Sequence, residues 1–388
     1  MSPAGEAPRQ AGAYPAALGG MTVLAVAMGI GRFVYTPILP AMQEALGLSG
    51  SAAGLIAAAN FVGYLLGALL VALPGLPGRR RTWMFGALLA SALTTGAMGL
   101  ADGLAAFAVL RFLSGVASAL AFVFGAALVL DQLAARGRPG LSALYFAGPG
   151  IGIALSGILV PALEMAGVGW HGLWFACGLA SLAGLGVAAL LIPSDEPGAA
   201  RARAADRGDG RPLGPLILSY GLFGFGYVIT ATFLVAIARA DPALRSFEPA
   251  LWLSVGLASA PSVFLWRAAA RRIGTLAAYA LACGVEAVGV AASVLWPSWA
   301  GVLLAAVLLG GTFVPLTALG FDAARVRAGG AARPLALMTA SFGVGQVIGP
   351  VVGGLMRDAF GSYRAPSLVA VAFLVTAGLI VLAEIRRA

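Results

Sequence analysis

Two arginines interrupt stretches that are otherwise apolar, and they are the residues best suited to chemistry. Arg32 stands in Gly29-Ile30-Gly31-Arg32-Phe33-Val34-Tyr35-Thr36-Pro37. If this stretch is helical, Tyr35 and Thr36 share its face at i+3 and i+4. A guanidinium offers a planar fork of N–H donors matched to a carboxylate or another anion. The alternative is a structural arginine whose donors go to carbonyls of neighbouring helices. Pro37 lacks an N–H and would release the Phe33 carbonyl as an additional acceptor. Arg111, in Arg111-Phe112-Leu113-Ser114-Gly115, has the same chemistry but lies nearer the end of its run. Solute contact and a structural role weigh equally there. Glu286 is the one carboxylate deep inside an apolar run; it would carry a proton or sit as a neutral, hydrogen-bonded acid. Asp131 and Asp322, near the ends of their runs, are reserve proton carriers.

Smaller polar groups recur at helical spacing. Asn60 and Tyr64 are i, i+4, Tyr220 and Tyr227 are i, i+7, Thr230 follows Tyr227 at i+3, and Gln346 stands alone. Each lines a solute path or makes an interhelical hydrogen bond. Gly148, Pro149, Gly345, Gly349, Pro350 and Gly353 would let helix backbones approach closely, with the prolines as kinks or hinges. An enzyme would need a nucleophile with its base, or a metal cluster. The single histidine is His171, and no HExxH, GxSxG or carboxylate pair lies in an apolar run. No GxxxxGK[ST] loop is present to bind ATP. Cys177 and Cys283 lie in apolar runs, where neither a disulfide framework nor a metal site is expected. No cofactor is called for.

The elements that must position these residues follow from composition. Of 388 residues, 60% are hydrophobic and 10% charged, whereas a soluble domain carries about 25% charged residues. That balance excludes both a soluble globule and a disordered chain. The net charge of +9 comes from arginine alone and is spread along the chain, so nucleic acid is not the partner. A spanning helix needs about 20 apolar residues. Twelve such runs are found, at 17–42, 51–73, 82–100, 103–130, 139–163, 170–192, 214–239, 249–266, 275–296, 298–321, 334–357 and 363–384. The first is too long for a signal-peptide core and reads as the first spanning helix.

The polar stretch between the sixth and seventh runs divides the chain into a tail (1–16), a six-helix bundle (17–192), a linker (193–213) and a second bundle (214–388). With the N-terminus in the cytoplasm, 18 of the 24 Arg fall on cytoplasmic segments, a positive-inside bias that puts both termini there. The seven Trp lie near run ends, as an interfacial belt would require. A shift of 195 residues lays Gly29, Gly31 and Leu39 on Gly224, Gly226 and Leu234, and Gly148 and Gly150 on Gly343 and Gly345. Parallel repeats of this kind place a site near the bilayer midplane, between the halves.

Over its whole length the chain resembles the major facilitator superfamily. Gly75-Leu76-Pro77-Gly78-Arg79-Arg80-Arg81 is similar to the family's loop after span 2 but lacks its acid. The Arg111 stretch matches the family's span 4 arginine motif, and Gly148-Pro149-Gly150-Ile151-Gly152 resembles the Gly-Pro motif associated with antiporters. GIGRFVYTPILP, from Gly29 to Pro40, is similar to the first-helix signature of the YbfB/YjiJ-type bacterial branch. The resemblance implies an all-α polytopic fold of twelve helices in two pseudo-symmetric six-helix bundles. It also implies that spans 3, 6, 9 and 12 are peripheral, which would set Glu286 away from the cavity. The expected function is a secondary transporter of the bacterial inner membrane, working by alternating access. Its solute would be a small organic anion or zwitterion, coupled to H+, with export favoured over uptake or facilitation. A monomer in the lipid bilayer is expected.

Overall fold

The computed structural model describes residues 12–72, 76–194, 212–328 and 332–387, and among the described residues every regular element is helical. A chain in hydrocarbon must bond its backbone groups within each segment, so apolar runs of this length become helices. Twelve of them are long and apolar enough to span a membrane. They are α1 (Ala13–Leu46), α2 (Gly50–Val71), α3 (Arg80–Leu100), α4 (Gly103–Ala135), α5 (Pro139–Met165) and α6 (Trp170–Leu191), then α7 (Gly214–Arg239), α8 (Arg245–Ile273), α9 (Thr275–Leu295), α10 (Trp299–Ala328), α11 (Leu335–Phe360) and α12 (Arg364–Arg386). At 1.5 Å per residue the shortest, of 21 residues, still reaches about 30 Å. Most of the tail and of the linker read from the sequence lies outside the described residues.

The helices form two six-helix bundles. In the first, α2 and α3 pack on α4, and the start of α1 lies against α4, α5 and α6; in the second, α9 packs on α10 and α12, and α11 and α12 pack on α7. The halves meet where α2 lies along α11, α5 along α8, and the second part of α1 along α7. These contacts need small residues. A Cβ on Gly54 would stand 2.1 Å from the Pro350 carbonyl oxygen, and one on Gly256 would stand 2.2 Å from the Ala154 nitrogen. Burial marks the centre: 83% of the apolar window of α1 and 89% of that of α7 are buried, against 28–61% elsewhere. The 195-residue shift superposes these two central helices on each other.

Helix α1 is not continuous. Its first part, Ala13–Leu24, widens into a π-helical stretch at Ala25–Ile30, turns through Gly31–Val34, and resumes as an α-helix at Tyr35–Leu46. The Gly31 N–H reaches back five residues to Val26 (2.8 Å) and the Phe33 N–H five residues to Met28 (3.2 Å), while the Thr36 N–H bonds the Phe33 carbonyl only three back (3.1 Å). This corrects the expectation for Pro37. Pro37 sits in the first turn of the resumed helix, where no donor is needed, and the Phe33 carbonyl is already taken. The carbonyls that leave the helical ladder are those of Gly31 and Arg32.

The tryptophan belt is also only partial. Trp296 and Trp299 are exposed, but Trp174 and Trp252 are fully buried. Their indole N–H groups point inward, Trp174 to the Met42 sulfur (3.4 Å) and Trp252 to the Ser156 hydroxyl (3.2 Å).

Candidate functional site

The break in α1 is held by α4. Arg111 donates from Nη1 to the Gly31 carbonyl (2.9 Å) and from Nη2 to the Arg32 carbonyl (2.6 Å), and Ser114 Oγ donates to the Gly31 carbonyl as well (2.9 Å). Asn60 of α2 donates to the Arg111 carbonyl (3.0 Å), tying α2 to α4. Arg111 thus clamps the disrupted stretch of α1, with only Nε left without a partner. A buried backbone carbonyl must be bonded, so the clamp and the break require each other.

Next to the break, Arg32 packs against α2 of its own half and borders a cavity shared with Ala231 and Thr232 of α7. Its side chain is 4% exposed, and Nε and Nη2 have no hydrogen-bond partner. The guanidinium carbon lies 4.1 Å from the ring centre of Tyr64, 4.8 Å from Phe61 and 5.5 Å from Phe33. No ion pair to Arg32 occurs among the described residues. A charge buried without a counter-ion costs several kcal/mol; aromatic faces offset about 0.5–2 kcal/mol of that. A small cavity opens here, bordered by Arg32, Tyr35, Thr36, Phe61, Arg111 and Thr232. Its free volume of about 10 Å³ is about that of one water, so the site is closed around its arginine.

Around this cavity the two halves touch. Thr36 Oγ1 donates to the Ala231 carbonyl (2.6 Å), a contact between residues 195 apart in sequence. That interval equals the repeat shift, as expected for two equivalent positions facing each other across a pseudo-two-fold axis. The same shift pairs Arg32 with Tyr227. Tyr35 lines the cavity, donates to the Ala53 carbonyl (3.0 Å) and stacks on Trp174. On the second half, the Gln346 amide donates to the Tyr227 hydroxyl. Tyr227 lies parallel to Phe313 and Phe342, with centroids 6.0 and 5.8 Å away. Tyr220 lies further along α7, bonded to the Thr317 carbonyl (3.2 Å). Thr230 is fully buried with its hydroxyl unpartnered.

The remaining candidates lie elsewhere. Glu286 is fully buried inside the second bundle and does not border the cavity. Its two oxygens lack partners, because the nearby Thr312 hydroxyl is turned to the Leu308 carbonyl (2.6 Å). Asp131 pairs with Arg80 (2.7 Å), and Asp322 faces Arg267 at 3.9 Å. The glycines and prolines sit at helix crossings. A Cβ on Gly148 would be 2.4 Å from the Met21 oxygen, one on Gly345 2.2 Å from the Gly221 oxygen, and one on Gly349 2.5 Å from Val228 Cγ1. Gly353 faces Phe233 more loosely at 3.1 Å. Helices α5 and α11 run unbroken through Pro149 and Pro350.

One cluster was not anticipated from the sequence. At the end of the bundle opposite the start of α1 and the end of α12, Arg239 of α7 contacts three glutamates: Glu164 (3.1 Å), Glu44 (3.7 Å) and Glu248 (2.6 Å from Nε). Arg245 also pairs with Glu44. Together they wall a vestibule of about 340 Å³. Asp358 adds a second tie between the halves by accepting the Gly50 and Ser51 N–H groups at the start of α2 (both 2.8 Å). The signal was present as charges beside the ends of runs 1, 5, 7 and 8, but only the fold brings four chain segments together.

Comparison with known proteins agrees with this architecture. A mutant of the nucleoside transporter NupG superposes with a TM-score of 0.74 at 13% identity, over 95% of this chain and 99% of that one. A bacterial homolog of the human lysosomal transporter Spinster, in an inward-facing and occupied conformation, gives 0.71 at 15% identity over 95% and 96%. Its inward-facing, unoccupied form gives 0.69 at 15% identity over 98% of each chain. At such identities the likeness is one of fold. No curated protein matches the chain. A family model described as uncharacterised MFS-type transporter YbfB matches residues 24–382. The chain thus belongs to the YbfB-type family of major facilitator transporters.

Proposed function

We propose that the protein moves a small organic anion or zwitterion across the bacterial inner membrane by alternating access between its two bundles, 17–192 and 214–388, with both termini in the cytoplasm. The observation that carries this reading is Arg32: a buried guanidinium at the cavity between the halves, with no carboxylate partner among the described residues and two unpaired nitrogens. A carboxylate placed there would gain charge-assisted, bidentate hydrogen bonds and supply the missing counter-ion. Tyr35 and Thr36 border the same space from the first half and Thr232 from the second, with Tyr64 against the Arg32 guanidinium and Tyr227 and Gln346 bonded to each other in the second half. The polar ties at the end opposite the start of α1, through Arg239 and Asp358, support a state closed outside and poised toward the cytoplasm. Glu286 is the proposed proton carrier, and export is the favoured direction.

A thermal-shift screen of organic anions on purified protein tests this, since ligand binding to the folded state raises its apparent stability. The expected result is at least one saturable stabiliser whose effect disappears in Arg32→Ala. Stabilisation that is equal in both proteins would remove Arg32 from the site.

A further inference from the structure

The walls of the closed site carry more information than the charge at its centre. Arg32 has three aromatic faces around its guanidinium, Tyr64 at 4.1 Å, Phe61 at 4.8 Å and Phe33 at 5.5 Å. Phe33 in turn meets Phe313 of the opposite half edge-on, with centroids 5.6 Å apart and planes at 76°. Behind Phe313 the rings run parallel: Tyr227 is inclined to it by 7°, and Phe342 to Tyr227 by 2°. Three helices, α10, α7 and α11, thus present rings in one common orientation, while the cation comes from a fourth. Tyr64 and Phe342 are only half-buried, so the row has open edges on both sides of the junction.

Leucine or valine would fill such a junction equally well if it had only to be apolar. Aligned rings are selective for another ring, because aromatic pairs prefer offset-stacked or edge-on contacts with centroids 4.5–7 Å apart. The Phe33–Phe313 contact crosses the junction between the halves, and separating the halves there would free both ring faces for a solute, beside the unpaired Nε and Nη2 of Arg32. From this geometry we infer that the solute is a planar aromatic anion, its carboxylate or equivalent group on Arg32 and its ring between Phe33 and Phe313. The inference rests on the anion reading of Arg32 and narrows it to one chemical class.

Matched ligands separate the two claims. Benzoate and cyclohexanecarboxylate carry the same charge on rings of the same size, one planar and one puckered; 1-naphthoate extends the ring, and benzamide removes the charge. Binding to the full-length protein in detergent is read by thermal shift and titration. The aromatic acids are expected to bind about tenfold tighter than cyclohexanecarboxylate, equivalent to about 1.4 kcal/mol. Phe313→Leu should reduce that ratio toward one while carboxylate binding persists, and Arg32→Ala should abolish binding of all the acids. Equal affinity for planar and puckered acids, still dependent on Arg32, overturns the aromatic inference and leaves the anion reading standing. Absence of binding by both aromatic acids overturns it too. Benzamide binding as tightly as benzoate, with Arg32→Ala without effect, overturns the anion reading itself.

Discussion

Replacing Arg111 by alanine should destabilise the first bundle before it affects anything else. The guanidinium makes two bonds to backbone carbonyls, at 2.9 Å to Gly31 and 2.6 Å to Arg32, in a site where Arg111 is 2% exposed. A hydrogen bond from a charged donor contributes about 1.5–3 kcal/mol, and a buried acceptor left bare costs about 1–3 kcal/mol. After the substitution the Gly31 carbonyl keeps Ser114 Oγ, but the Arg32 carbonyl keeps nothing. One bond lost outright and one lost with its acceptor orphaned gives about 3–5 kcal/mol. Ser114→Ala removes only one of two donors to the same carbonyl and should cost about 1 kcal/mol. Arg111→Lys should fall between, because one ammonium lacks the fork that spans two successive carbonyls. Thermal unfolding in detergent should therefore rank wild type, Ser114→Ala, Arg111→Lys and Arg111→Ala in falling order, the last by more than about 5 °C. An Arg111→Ala protein as stable as wild type, yet unable to bind solute, would refute the reasoning and make Arg111 a ligand group.

Three further outcomes follow from the same geometry. Arg239→Ala removes the cation shared by Glu44, Glu164 and Glu248, so spin labels at Leu46→Cys and Phe247→Cys should move apart in it; an unchanged distance distribution would show that the cluster does not hold that end closed. Gly256→Val places a side chain where a Cβ already stands 2.2 Å from the Ala154 nitrogen, so the protein should fold but lose flux in proteoliposomes, and wild-type flux would show that α5 and α8 need not approach. Glu286→Gln should keep solute binding but remove the response of flux to an imposed pH gradient; an unaltered response takes Glu286 out of the coupling role.

The legible part of the protein was the part set by local composition. Hydropathy located all twelve helices, though α4 and α10 run on to Ala135 and Ala328, past their apolar cores. Arg32 stood out because a charge in hydrocarbon is expensive wherever it occurs. The break in α1 was not legible, since Gly31 and Pro37 suggested a weak point while the carbonyls actually released are chosen by Arg111 and Ser114, about 80 residues away. Trp174 and Trp252 misled for the same reason: position near a run end does not say which face of a helix is buried. Glu286 was hard to place because its helix is apolar all round, leaving no polar stripe to indicate which neighbour it faces. The Arg239 cluster draws on residues from 44 to 248, and no spacing rule links them.

The central claim is that Arg32 anchors the solute, and equilibrium binding of an organic acid to wild type, Arg32→Lys and Arg32→Ala tests it most directly. Two charge-assisted bonds of about 1.5–3 kcal/mol each predict at least a hundredfold loss of affinity in Arg32→Ala. Arg32→Lys should retain part of the binding, and both variants should stay folded because Nε and Nη2 make no hydrogen bond within the fold and the ring contacts of the guanidinium contribute only about 0.5–2 kcal/mol. Wild-type affinity in the alanine variant would contradict the account.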